Sequence, residues 1–207
     1  YVGAGCLSSA LCMDKIITKQ SLKAVGLPIV PWQAFDQSTL DETSYDLCVN
    51  ALGGDLYIKP ARLGSSIGVH RCTSRDAFYA AAHNALLYDH VILVEPTVLG
   101  REIECAVIGA KKPWASIPGE ITVAGTQGYS FAEKYLTENE RNSIKSLSIA
   151  AFKHLQCNGL ARVDFFLSED NGLYINEVNT MPGFTPISLF PKLMAASGLN
   201  FDGLLSK

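Results

Sequence analysis

The chain has 207 residues, enough to bury a core in one domain or two small ones. Its 48% hydrophobic and 18% charged residues place it among globular chains rather than disordered ones, and a net charge of -3 without a basic run argues against a nucleic-acid surface. No apolar run approaches the ~20 residues that cross a bilayer and no signal peptide is visible, so membrane insertion is not expected. Six cysteines form no Cys-x-x-Cys pair and no zinc-type spacing with histidine, which favours buried free thiols in a reducing cytoplasm over zinc or a disulfide framework. The scattered histidines (His70, His83, His90, His154) fall in no motif and read as structural or surface residues.

In chain order, Tyr1 to Gly5 reads as the end of a strand running into a loop. Ser9-Ala-Leu-Cys-Met-Asp-Lys15 leads into a helical pattern through about Val25, stopped by Gly26 and Pro28, with an extended segment from Pro28 to Trp32. Asp41 to Leu52 predicts a helix ended by Gly53-Gly54. Strands are expected at Leu56–Lys59 and Ile67–Arg71, joined by a loop holding Gly64-Ser-Ser66. Thr73 or Ser74 caps a helix to Leu87, with Asp76 complementing its dipole. Strands follow at Val91–Glu95 and Arg101–Ile108, with one or two short ones between Trp114 and Val123. Ala124 to Tyr135 shows no period and is expected to be a mobile loop. Thr137 to Leu155 is the longest amphipathic helix, and another is expected near Leu189–Ser197. Helices interleaved with hairpins argue for an α+β fold.

The richest stretch is Leu160-Ala-Arg-Val-Asp-Phe-Phe-Leu167, a turn at Ser168-Glu-Asp-Asn-Gly172, then Leu173-Tyr-Ile-Asn-Glu-Val-Asn179, which together predict a β-hairpin. Alternation along a strand puts Arg162, Asp164 and Phe166 on one side, and Ile175, Glu177 and Asn179 on one side of the partner. Closure about Asp170 and Asn171 sets Asp164 opposite Glu177. Carboxylates about 4 Å apart repel by roughly 4 kcal/mol at an effective dielectric near 20, so something positive should lie between them. Two carboxylates and an amide oxygen form a hard donor set suited to magnesium or manganese; the alternative is a solvated strand face.

Lys59-Pro-Ala-Arg-Leu-Gly-Ser-Ser-Ile-Gly68 offers backbone N–H groups and hydroxyls to an anion, or is simply a hairpin turn; it leads into a strand and is no Walker-type loop. Lys59 ends a strand beside it, within reach of a phosphate. Lys15 lies at a helix start, where the dipole does not favour a cation and an anion contact would explain it. Glu95 either accepts ribose hydroxyls or points into water. Glu102 and Glu104 share a strand face, either of them a ribose or metal partner or part of a solvated edge.

Several runs in register resemble one family, the D-alanine–D-alanine ligases of the ATP-grasp superfamily. They are Ser9–Lys15, Ile58–Gly68, Gly100-Arg-Glu-Ile-Glu-Cys-Ala-Val107, Glu133-Lys-Tyr135, Gly159-Leu-Ala-Arg-Val-Asp-Phe-Phe166 and Asn176-Glu-Val-Asn-Thr-Met-Pro-Gly-Phe-Thr-Pro-Ile-Ser188. The resemblance implies two α+β subdomains with antiparallel or mixed sheets that clamp ATP. Residues 1–8 would end an N-terminal α/β domain that has no counterpart here, 9–95 would form the central subdomain and 96–207 the C-terminal one.

It also implies roles. Lys15, Lys59 and Lys134 would meet ATP phosphates, and Glu95 and Glu102 the adenosine end. Asp164, Glu177 and Asn179 would hold two magnesium or manganese ions. Arg162 would stabilise an oxyanion, and Ser188 with Leu189 would bind the second substrate's carboxylate. Ser65 and Tyr135 would join a hydrogen-bonded cluster closing a loop over the site; Tyr135 resembles the dipeptide-forming branch rather than ligases that use D-lactate. The implied activity is ATP-dependent joining of two D-alanines through an acylphosphate, for peptidoglycan synthesis in the cytoplasm, in a possible homodimer. The rival readings are ligation of D-alanine to D-lactate or D-serine, and nucleotide binding without catalysis. One departure is the connection between Lys134-Tyr135 and the long helix, which is longer in the family.

Overall fold

The computed structural model describes residues 2–121, 136–170, 172–185 and 187–206, with 129–131 described by backbone alone. The chain divides into two compact units, one of Tyr1–Cys12, Gln20–Ile29 and Leu99–Lys207, the other of Met13–Lys19 and Val30–Val98.

The smaller unit is an antiparallel sheet in the order β1-β4-β2-β3. Its strands are β1 (Gln33–Asp36), β2 (Leu56–Pro60), β3 (His70–Cys72) and β4 (Val91–Pro96). Helices α3 (Ser44–Leu52) and α4 (Arg75–Ala85) cover one face, where Cys48, Phe78 and Ala82 pack against Phe35, Leu56, Ile58, Ile92 and Val94. Leu93 points the other way, against Ile16, Ala61 and Trp32. Strand β4 is therefore apolar on both faces, which explains its unbroken Val-Ile-Leu-Val run.

The larger unit has a six-stranded sheet, β10-β9-β5-β7-β8 with β6 also on β5. Its strands are β5 (Gly100–Gly109), β6 (Trp114–Ala115), β7 (Gly119–Ile121), β8 (Tyr129–Phe131), β9 (Gly159–Ser168) and β10 (Leu173–Asn179). Helix α5 (Glu138–His154) packs on one face through Ile144, Ala151 and Phe152 against Ile103, Cys105, Val107, Ala161, Val163 and Phe165. A capping box starts it: Thr137 Oγ1 accepts from Glu140 N–H, and Thr137 N–H donates to Glu140 Oε2. On the opposite face α6 (Leu189–Ala196) lays Leu189, Phe190 and Leu193 over Ala106. Helix α7 (Phe201–Leu205) follows.

Most expected elements are present, with instructive differences. Val2 to Gly5 is not a strand; helix α1 (Cys6–Met13) begins directly after it. Asp14 then breaks the helical run, its Oδ1 accepting from the N–H groups of Ile16 and Ile17 to start α2 (Lys15–Ala24). Asp41 sits outside α3 because its Oδ1 accepts from Thr43 N–H in a local turn. Strand β3 starts three residues late, since Ser65 and Ser66 take left-handed φ values of 55° and 58° and prolong the turn. Strands β1 and β8 were not foreseen: Gln-Ala-Phe-Asp lacks β-branched residues, and β8 falls inside the segment expected to be loop.

The hairpin closes with an irregularity that decides its faces. Near the turn the partners are Leu173↔Leu167 and Ile175↔Phe165, whereas beyond it they are Glu177↔Asp164 and Val178↔Val163. A β-bulge at Asn176 absorbs one residue between the two registers. Ile175 therefore lies in the core with Val178, not beside Glu177 as strict alternation predicts. Without the bulge Glu177 would be turned into the α5-facing core.

Gly159 opens β9 with φ 74°, and a Cβ there would lie 2.8 Å from the backbone of Gly3. Gly159→Ala is expected to lower unfolding stability by about 2 kcal/mol or more, from the left-handed backbone and the clash together. Gly198→Ala, at φ 90° with open space around it, should cost only about 1 kcal/mol. Urea unfolding of both variants checks the ranking.

Candidate active site

Sheet register lines up three carboxylates. Glu104 on β5 lies opposite Asp164 on β9, which lies opposite Glu177 on β10, so they form a row on the face away from α5. Two residues along β9, Arg162 turns back on Asp164: Nε donates to Oδ1 at 2.7 Å and Nη2 to Oδ2 at 2.7 Å. Arg162 Nε also lies 3.1 Å from Glu104 Oε2. Nε–H has a single proton, already given to Asp164, so among the described residues the buried Glu104 Oε2 has no hydrogen-bond partner. Burial, followed by the charge of Asp164, pushes Glu104 up to about 8. Burial raises Asp164 to about 6 even though Arg162 pulls it down. Against the effect of burial, Asp164 and Glu104 hold Arg162 above its ordinary value.

Fully ionised, three carboxylates and one guanidinium leave this row two negative charges in excess. Asn179 pairs with Arg162 in register, and its Oδ1 accepts from Met181 N–H at 3.1 Å. Glu102, one step further along β5, is exposed and opposite Phe166. Among the described residues no three histidine, cysteine or acidic side chains converge closely enough to cage a metal ion. An all-oxygen set of this charge suits a divalent ion that keeps most of its ligands as water and phosphate, such as magnesium.

The smaller unit gathers cations instead. Glu95 on β4 is 2% exposed and is gripped by the ammonium groups of Lys19 on one oxygen and Lys59 on the other. It does not point into water, and its two oxygens hold lysines. Lys19 is itself 1% exposed, donates to Val30 O at 3.1 Å and lies 5.9 Å from the Trp32 ring centroid. It was missed in the sequence, although it follows Lys15 by one helical turn on the same face. Lys15 Nζ donates to Leu63 O at 2.6 Å, beside the loop of Ser65 and Ser66. Burial drives the Lys19 ammonium below its ordinary range despite Glu95.

Ser188 occupies the N-cap position of α6 without a side-chain cap. Its Oγ instead accepts from Thr185 N–H at 3.0 Å. Leu189 is core, so only its backbone N–H can meet a ligand. Lys134 and Tyr135 lie outside the described residues.

A family profile described as "D-ala D-ala ligase C-terminus" matches residues 21–207. The chain belongs to this family. It is similar to the D-alanine–D-alanine ligase of Oceanobacillus iheyensis, with 43% identity over 99% of this chain and 59% of that protein. It also resembles D-alanine–D-alanine ligase A of Escherichia coli, with 39% identity over all of this chain and 60% of that one. Its structure superposes on the D-alanine–D-alanine ligase of Coxiella burnetii with a TM-score of 0.91 and 40% identity, covering 100% of this chain and 58% of that one. A D-Ala:D-Ser ligase of Enterococcus faecalis gives 0.89 at 31% identity, covering 100% and 63%. The chain thus spans about 60% of the length of the family members it matches. The α+β reading stands, with two antiparallel sheets. Among the described residues no helix is long and apolar enough to cross a membrane.

The ion pairs of Glu95 make a pH prediction for this ligase-family chain. Burial opposes its ionisation, but Lys59 and Lys19 outweigh burial and depress its carboxyl below the ordinary 4.5. A depressed folded value means stabilisation present above 4.5 and lost as the pH falls through the folded value. Glu95→Gln is expected to cost about 3 kcal/mol near neutrality by stranding buried Lys19. The deficit should shrink in acid, where Glu95 is itself protonated. Urea unfolding against pH measures this, and a deficit independent of pH would refute the assignment.

Proposed function

We propose that this chain provides the nucleotide- and cation-binding portion of an ATP-dependent ligase that joins two D-alanine molecules for peptidoglycan synthesis. The observation that carries this reading is the cross-strand pair Asp164–Glu177, beside Arg162 and with Asn179 two residues on, in a chain matched over its whole length by D-alanine–D-alanine ligases.

Lys15 and Lys59 bind phosphate oxygens of ATP, and Glu95 acts behind them by fixing Lys59. Glu102, exposed on the acidic face, takes the ribose. Asp164, Glu177 and Asn179 hold the divalent ions, which when bound neutralise the phosphoryl group in transfer. The γ-phosphoryl passes to one D-alanine carboxylate, forming an acylphosphate and ADP. The amine of a second D-alanine attacks that carbonyl, and phosphate leaves. Arg162 steadies the oxyanion at the tetrahedral stage. The second D-alanine's carboxylate sits at the start of α6, where backbone N–H groups after Ser188 face an anion and the helix dipole favours it. Lys134 would meet the γ-phosphate, and Ser65 and Tyr135 would help to exclude water, which an acylphosphate requires.

Coupled ADP release should require both D-alanine and magnesium, and no turnover of the full-length protein with magnesium and potassium present would overturn the proposal. Asp164→Asn is expected to lower kcat by ~100-fold or more. A second reading, D-serine as acceptor, draws on the likeness to the Enterococcus faecalis ligase. Turnover with D-alanine, D-serine and D-lactate as competing acceptors separates the possibilities.

A further inference from the structure

We infer that Glu104 is a positioning residue that receives the Arg162 guanidinium when a divalent ion takes over Asp164. The inference rests on the cation site proposed above and adds to it a residue with no role there.

The three carboxylates are ordered across the sheet as Glu104, Asp164, Glu177. An ion held by Asp164 and its cross-strand partner Glu177 would lie toward β10. Arg162 at present holds both oxygens of Asp164, each at 2.7 Å. A guanidinium and a divalent ion repel, and both seek the same oxygens, so the guanidinium yields toward β5. There Glu104 stands ready. Its Oε2 is already 3.1 Å from Arg162 Nε, and among the described residues it has no hydrogen-bond partner. The residue is 5% exposed, so water is a poor substitute.

A buried carboxylate oxygen without a donor is costly to maintain. Its position becomes intelligible if the donor arrives in a second state. On this account Nε–H moves from Asp164 Oδ1 to Glu104 Oε2, and no other bond need change. The transfer leaves Oδ1 of Asp164 open to the ion while Nη2 stays on Oδ2, and it keeps Arg162 charged, oriented and close to the reacting carbonyl. Without Glu104, Arg162 would either stay on Asp164 and compete with the ion, or move away without a fixed direction. The effect on turnover should therefore exceed the effect on nucleotide binding.

Glu104→Gln keeps the shape and one acceptor oxygen but removes the charge. In the full-length protein it is expected to lower kcat about tenfold or more, in keeping with a misplaced reacting group. KM for ATP should change less than about threefold. The melting temperature without divalent ion should be unchanged or higher, because a buried unpaired carboxylate has been removed. Mn2+ titrated into protein with ATP, followed by electron paramagnetic resonance, should bind more weakly to Glu104→Gln, with Glu104→Asp recovering part of both rate and affinity. Wild-type kcat and Mn2+ affinity in Glu104→Gln would overturn the inference. So would a loss of rate matched by a fall in melting temperature, which marks a purely structural residue. Asp164→Asn tests the underlying site separately: if it retains Mn2+ affinity and turnover, the cation site itself is wrong, whereas its failure beside a normal Glu104→Gln removes only the role of Glu104.

Discussion

One guanidinium among three carboxylates governs the chemistry of the larger unit. Arg162 satisfies Asp164 completely, approaches Glu104 without satisfying it, and leaves the row with an excess of negative charge. Folding alone does not reward such an arrangement, because buried like charges must be desolvated and repel one another. It is the kind of cost that persists where a site is prepared for a cation. Both carboxyls beside Arg162 are pushed upward chiefly by burial, Glu104 to about 8 and Asp164 to about 6 against the pull of Arg162.

Sheet geometry allows this face to exist. Strand β9 carries Ala161, Val163, Phe165 and Leu167 into the core under α5, so Arg162 and Asp164 must face the other way. Strand β5 repeats the division, with Ile103, Cys105 and Val107 inward and Glu102 and Glu104 on the far face. On β10 the bulge at Asn176 restores the phase, and Glu177 joins the row while Val178 fills the core. The far face is then shared: α6 covers its end at Ala106 and Leu160, and the charged residues take the rest.

The smaller unit solves the opposite electrostatic problem. Lys19 and Lys59 converge on Glu95, while Lys15 is tied to the Leu63 carbonyl one turn before Lys19. Three ammonium groups against one carboxylate leave positive charge beside a loop whose serines hold left-handed backbone. Lys19, fully buried and held by Glu95, Val30 O and the Trp32 ring, is the fixed member. Lys59, held by the same anion, retains some exposure and is the less enclosed of the two.

Local chemistry in the sequence was enough to determine the long helix, the Gly26 and Gly53 stops and the apolar strands; it also anticipated Asp164 opposite Glu177, although the bulge rather than the turn register produces that pairing. These follow from neighbours a few residues apart, where periodicity and turn residues act directly. The family was also legible there, because its motifs retain their order along the chain. What the tertiary structure decided involves distant residues. It turned Glu95 away from solvent and made it the clasp of two lysines, because β4 is covered on both faces. It made Lys19 as buried as the core, and separated Ile175 from Glu177 through a bulge that no alternation pattern announces. It placed Glu104, equal to Glu102 in the sequence, beside Asp164, because strand register across 60 residues is set by how the whole sheet packs on α5.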